Sequence, residues 1–209
     1  MAPRAGTRTR ILEAAEALMR EVGLVRATTK EIARAVGVTE PTLYRHFASK
    51  EELLVAVLQE RLPPFGSLIA EYTTDPGDRT VVECLIDIAV EATLFYEDSF
   101  AINASLFAEP ALLRRHREAL AELGTGPRVP LLALAEYLRA EQIRGRVASG
   151  VDTDAPAQAL LGACFQRAFL HHFHGGALTS AHADQLREFA TGLVRVLTTG
   201  IAAGRTVRD

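Results

Sequence analysis

Residues 27–54, ATTKEIARAVGVTEPTLYRHFASKEELL, place four helix boundaries so close together that few folds can accommodate them. Thr28 and Glu31 have the spacing of a capping box, in which the hydroxyl takes an orphan N–H and the carboxylate reaches back. The helix so opened runs from about Thr29 to Val36, and Gly37 closes it by accepting a left-handed conformation at little cost. Another begins after Thr39, with Pro41 in its first turn, where a missing N–H does no harm. Ser49 and Glu52 form a second capping box, opening a helix through Leu53, Leu54, Val57 and Leu58. Upstream, Ile11, Leu12, Ala15, Leu18, Met19 and Val22 share one face of a helix over Arg8–Val22 that stops at Gly23. Two short helices joined at a glycine turn, with a longer helix on each side, make a helix-turn-helix. Its small core is expected from Ile32, Ala33, Val36, Val38 and Leu43, closed by Leu18 and Phe47.

The third helix is polar where a core helix is apolar. Glu40, Thr42 and Arg45 point away from Leu43 and Phe47 at or near its N-terminal end, the end of a recognition helix that reaches base edges in a major groove. The alternative is an exposed polar face with no partner. Charge separates the two. Residues 1–50 hold nine Lys/Arg against five acids, a balance of +4, which leaves −7 for the remainder of a chain whose total is −3. A basic head on an acidic body suits a head that meets an anion.

The stretches TTKEIARAVGV and TLYRHFASKEELL, with RTRILEAAEALMREVG before them, resemble the DNA-binding domain of the tetracycline-repressor-like (TetR) family of bacterial transcription regulators. The resemblance covers about the first quarter of the chain. It implies backbone contacts from Thr28, Thr29 and Lys30, phosphate contacts from Tyr44, His46 and Lys50, and base contacts from Glu40, Thr42 and Arg45. Hydroxyls, helix N-terminal N–H groups and cations are what phosphates bind. Pro41 and Thr42 suit thymine methyl groups. Glu40 departs from the neutral or basic residue expected there. It either accepts from a cytosine amino group or serves as an acid at a helix N-terminus. Arg8 and Arg10 either reach DNA or belong to a disordered tail.

Beyond residue 62 the chain reads as all-α. The expected division is a head over 1–50, a connecting helix from about 50 to 62, and an effector-binding and dimerisation domain over 63–209. Pro63-Pro64 ends or kinks the connecting helix, and is either a hinge through which the body steers the head or simply the end of a helix whose continuation is unneeded. Helices are expected at 65–72, 80–98, 100–108, 111–123, 129–144, 155–174 and 181–203, with TTDPGD at 73–78 as a turn. The last two carry more apolar surface than one core needs, with Gly162, Ala163, Gly192 and Gly200 allowing close approach. They are expected to pair with a second copy in a four-helix interface, the alternative being burial within a monomer.

In the family, a small molecule bound among the central helices moves the DNA-binding heads. Phe95, Tyr96, Phe100, Asn103, Phe107, Tyr137, Gln166 and Phe169 are the candidates for such a pocket here, against the alternative of ordinary core. His171 and His174 stand three apart within HHFH and are close enough to share an ion, but a helix end before Gly175-Gly176 accounts for them, and no metal or cofactor is expected. Cys84 and Cys164 sit in apolar stretches, as buried thiols of a reduced cytoplasmic protein do; a disulfide is the alternative. No apolar run approaches the roughly 20 residues of a membrane span. The expected function is that of a dimeric regulator, a repressor released from a palindromic operator by a small effector. The alternatives are an activator or architectural dimer without an effector, and a helical enzyme. The enzyme lacks any phosphate loop, nucleophile elbow or HExxH.

Overall fold

The computed structural model describes residues 6–23, 26–60, 66–124, 126–176 and 182–200, and among these all regular secondary structure is helical. The elements are α1 (Thr7–Val22), α2 (Thr29–Val36), α3 (Glu40–Tyr44), α4 (Lys50–Glu60), α5 (Ser67–Thr74), α6 (Val81–Phe107), α7 (Pro110–Glu122), α8 (Val129–Ile143), α9 (Asp154–Phe173) and α10 (His182–Thr199). Two compact units form. Among the described residues, one gathers those up to 60 with 97–126, the other 66–96 with 127–200. The hinge expected at Pro63-Pro64 lies outside the described residues.

The first unit is built on the expected helix-turn-helix. Ile11, Leu12, Ala15 and Met19 of α1 meet Ile32, Ala33 and Val36 of α2, Leu43 and Phe47, and Leu53, Leu54 and Val57 of α4 in one core. Leu18 and Val38 pack at its edge, while Val22 is exposed. Ile102, Leu106 and Leu112 join the same core, so α7 and the end of α6 pack with the head and not, as the division at residue 63 would have it, with the body. The sequence pattern shows that these leucines and isoleucines are buried, but not which core receives them.

Local chemistry sets the boundaries. Thr28 and Glu31 complete the capping box: Glu31 N–H donates to Thr28 Oγ1 (3.2 Å) and Thr28 N–H to Glu31 Oε2 (3.2 Å). At α4 only half of the expected box forms. Glu52 N–H donates to Ser49 Oγ (3.1 Å), but the Glu52 carboxylate accepts from Ala48 N–H (2.7 Å). Gly37 closes α2 at φ 75°, ψ 34°, while Val38 N–H reaches back to Ala33 O (2.9 Å). A Cβ at Gly37 would meet no neighbour, so the cost of a side chain there is purely conformational. Gly37→Ala is expected to destabilise the protein by about 1–2 kcal/mol, and thermal unfolding followed by circular dichroism checks it. An unchanged midpoint would mean that the turn relaxes out of the left-handed region.

In the second unit α5, residues 81–96 of α6, and α8, α9 and α10 enclose Ile69, Tyr72, Leu85, Ile88, Leu134, Tyr137, Leu160, Leu161, Ala190 and Val194. Thr80 and Glu83 form a capping box at the start of α6 that the sequence pattern hides, because Glu83 also falls on the polar stripe of the helix. The two helices expected at 80–98 and 100–108 are one. Polar residues at Asp98 and Ser99 break the apolar pattern, but neither proline nor glycine breaks the backbone there. The turn expected at 73–78 starts later, since Thr73 and Thr74 still belong to α5.

Two polar clasps lock this unit. Glu141 is fully buried on α8 and holds both Arg144 (2.8 Å) and Arg146 (2.5 and 2.8 Å). Arg144 in turn donates to Thr73 O (2.8 Å) and Thr74 O (3.1 Å) at the end of α5, and Arg146 to Arg79 O (2.9 Å). Asp87 on α6 accepts from the Tyr72 hydroxyl (3.2 Å), Arg79 and Arg187 (3.3 Å). Cys84 and Cys164 are buried free thiols, both pushed up by burial, Cys164 to about 11.

Candidate nucleic-acid interface

A five-residue helix cannot hold itself in water, so α3 depends on its neighbours. Leu43 anchors it in the core. Thr39 caps it, accepting from Thr42 N–H (3.4 Å), and the two threonine hydroxyls lie 3.0 Å apart. A third support comes from α2. Thr29 Oγ1 donates to Glu40 Oε1 (2.7 Å), and the Tyr44 hydroxyl lies 3.4 Å from the same Thr29 oxygen. These contacts bring the start of α2 beside α3, so two sets of residues separated in sequence share one surface.

On that surface Thr28, Lys30, Pro41, Tyr44, Arg45 and His46 are exposed, and Glu40, Thr42 and Lys50 are half-buried. Thr29 is 8% exposed, and its hydroxyl is turned inward to Glu40. Thr28 is exposed, but its hydroxyl proton goes to Glu31 Oε2 (2.6 Å). Thr28 hydroxyl and backbone N–H hold the Glu31 carboxyl below the usual carboxylate range. With both threonine protons committed, the start of α2 is left to offer a phosphate its backbone N–H groups and Lys30.

Arg8 and Arg10 are not in a disordered tail. Arg8 makes a two-pronged pair with Glu60 (2.7 and 2.6 Å) and lies over the Phe47 ring, 5.1 Å from its centre. Arg10 donates to Val36 O (2.6 Å) and so satisfies a carbonyl at the end of α2. Both guanidinium groups tie the head together. Pairings across 52 and 26 residues leave no local trace in the sequence.

The eight residues named for an effector pocket are divided between the two units. Phe100, Asn103 and Phe107 belong to the first, and Phe107 is 76% exposed. Phe95, Tyr96, Tyr137, Gln166 and Phe169 belong to the second. Tyr137 is fully buried in the core, which pushes its phenol up; burial also pushes Tyr96 up, to about 12. Tyr96 packs edge-on against Phe95 and Phe165, with ring centres 5.4 and 5.5 Å apart. A groove of about 600 Å³ does open in this unit, but between α9 and α10, lined by Arg167, Phe189, Gly192, Leu193 and Val196 among others and by none of the eight. Within HHFH, the His171 ring faces His182 at 5.0 Å, a neighbour the sequence did not single out.

Comparison with known proteins fits this geometry. Residues 11–57 match the family model described as "Bacterial regulatory proteins, tetR family". An HTH-type transcriptional regulator of Mycobacterium bovis is 31% identical over 148 residues, 70% of this chain and 72% of its own. The crystal structure of a TetR-family transcriptional regulator from Mesorhizobium loti superposes with a TM-score of 0.72 at 20% identity, over 95% of this chain and 98% of that one. The Bacillus subtilis regulator FadR, solved in complex with stearoyl-CoA, superposes with a TM-score of 0.64 at 19% identity, over 93% and 99%. Among the described residues no helix is long and apolar enough to cross a membrane.

Proposed function

Because the chain belongs to the tetR family of bacterial regulatory proteins, we propose that it is a dimeric cytoplasmic repressor that leaves a palindromic operator when a small molecule binds its body. The observation that carries the DNA-binding part is the hydrogen-bonded junction of α2 and α3. It holds the starts of α2 and α3 together, with Lys30, Tyr44, Arg45 and His46 exposed and Thr42 and Lys50 half-buried, which supports a surface of phosphate-binding groups beside base-reading ones. Thr42 and Arg45 stand at the groove, and Pro41 packs on thymine methyl groups. The effector is a small molecule held by the helices of the body; the structural neighbour FadR, solved in complex with stearoyl-CoA, supports a ligand of that size range for a regulator of this fold. Its chemical class is left to a ligand screen by thermal shift, in which a true effector raises the unfolding temperature.

The surfaces of α9 and α10 support dimerisation through these two helices. Phe165, Phe169, Leu170 and Phe173 form an exposed apolar row on α9, and Val196 on α10 is exposed beside the groove. Gly162 and Gly192 stand inside helices where a Cβ would meet nothing in this chain. Glycine there costs about 1 kcal/mol relative to alanine, a cost that close approach of a second copy's helices explains.

Salt tests the DNA reading. Operator affinity is expected to fall steeply between 50 and 200 mM salt, by a factor on the order of 10³ for about six phosphate contacts. Lys50→Ala is expected to weaken binding to every sequence alike and to flatten the slope of log affinity against log salt by about one unit per subunit. Fluorescence anisotropy with labelled duplexes measures both. Salt-independent affinity would remove DNA as the partner.

A further inference from the structure

We propose that Glu40 positions the recognition helix and does not read bases: through Thr29 it fixes α3 against α2 and so sets where the Tyr44 hydroxyl stands. The inference rests on the assignment of this surface to DNA and concerns how the surface is held. A carboxylate reading cytosine must turn its oxygens outward to the amino group. Here one oxygen, Oε1, accepts from the hydroxyl of a buried residue at 2.7 Å, and the side chain leans across α3 toward the start of α2. Thr29 has one hydroxyl proton to donate, and Glu40 takes it. What remains on that oxygen are lone pairs, so in the 3.4 Å contact with Tyr44 the phenol is the donor. That contact is long and weak, and the phenol keeps its proton but readily redirects its hydrogen bond to a phosphate oxygen when DNA arrives. The Thr29–Glu40 bond is short and charge-assisted and stays.

The arrangement explains why an acid is tolerated on a surface that meets phosphates. Glu40 is the first residue of α3, where the helix dipole favours a negative charge, and its hydrogen bond points inward. It also explains why the hydroxyl of Thr29, next to a capping residue, is turned inward. The bond replaces the stability that a five-residue helix lacks.

The experiment compares the full-length protein with E40Q, E40A, T29S, T29V and the double variant T29V/E40A. It measures the sequence each selects from random duplex DNA and its affinity for the wild-type site. E40Q keeps an acceptor oxygen and T29S keeps the donor, so both are expected to bind within about threefold of wild type and select the same bases. E40A and T29V are expected to bind every sequence about tenfold more weakly, again with unchanged base preference. The double variant is expected to be no weaker than either single one, because all three lack the same bond. Circular dichroism melting confirms that each variant is folded. If T29V fails to fold, E40A against E40Q still decides. A changed base at one operator position in E40Q or E40A would overturn the inference, as would additive losses in the double variant. A wild-type protein that selects no sequence would instead remove the DNA-binding reading itself.

Discussion

Glutamate at both Phe165 and Val196 is expected to turn the dimer into a monomer and to weaken operator binding by roughly 10²–10⁴-fold. Both side chains are about half exposed in one copy of the chain, at 51% and 46%; Phe165 belongs to the exposed apolar row of α9, and Val196 is the large apolar side chain exposed on α10. Related by a two-fold axis, the substitutions bring four carboxylates into one interface, where burial of unpaired charge costs several kcal/mol. The heads then bind half-sites independently, and the second half-site no longer profits from the effective concentration the first provides. Sedimentation equilibrium reads the assembly state and anisotropy the affinity. Exposure at these positions lets each copy fold, so the monomer keeps its helical circular dichroism. A double variant that stays dimeric would place the interface elsewhere on the molecule.

Glu141→Ala is expected to lower stability by about 3 kcal/mol, or to lower the unfolding temperature of a chain of this length by about 9 °C. The carboxylate is fully buried and neutralises two arginines, Arg144 and Arg146, which are themselves about one-third exposed. Its removal leaves two guanidinium groups side by side with their shared counter-ion gone. Those groups also close carbonyls at Thr73, Thr74 and Arg79, so the end of α5 and the turn before α6 loosen with them. Glu141→Gln, which still accepts a hydrogen bond, should fall between the two. Glu136→Ala removes a surface partner of Arg139 and is expected to change stability by less than about 1 kcal/mol. Equal losses in Glu136→Ala and Glu141→Ala would show that burial of the Glu141 pair has no special weight.

The contrast between these two glutamates shows where the sequence stops being legible. Glu136 and Glu141 lie on the same helix, and both stand near arginines in sequence. Burial separates them, and burial here depends on α5 arriving over α8, a contact between segments some 70 residues apart. The same holds for α7. Its apolar positions are plain in LLRRHREALAEL, yet nothing local says that Leu112 closes the core of the head.

Most of the head's local structure, governed by interactions within a few residues, is legible in the sequence alone. The Thr28–Glu31 box, the left-handed Gly37, the Thr39 cap with proline behind it and the alternation of core positions gave the helix-turn-helix and its exposed face. Capping and helical periodicity act over three or four residues, so their signals are written contiguously. Which exposed-looking polar groups were already committed was settled by tertiary packing. Arg8 is paired to Glu60, Arg10 to the Val36 carbonyl, Thr29 to Glu40, and Glu141 to two arginines. A hydroxyl or guanidinium has the same residue letter whether its protons face solvent, DNA or another helix. Its partner is chosen by packing, because a polar group drawn under a helix loses water and must take whatever acceptor the fold sets beside it.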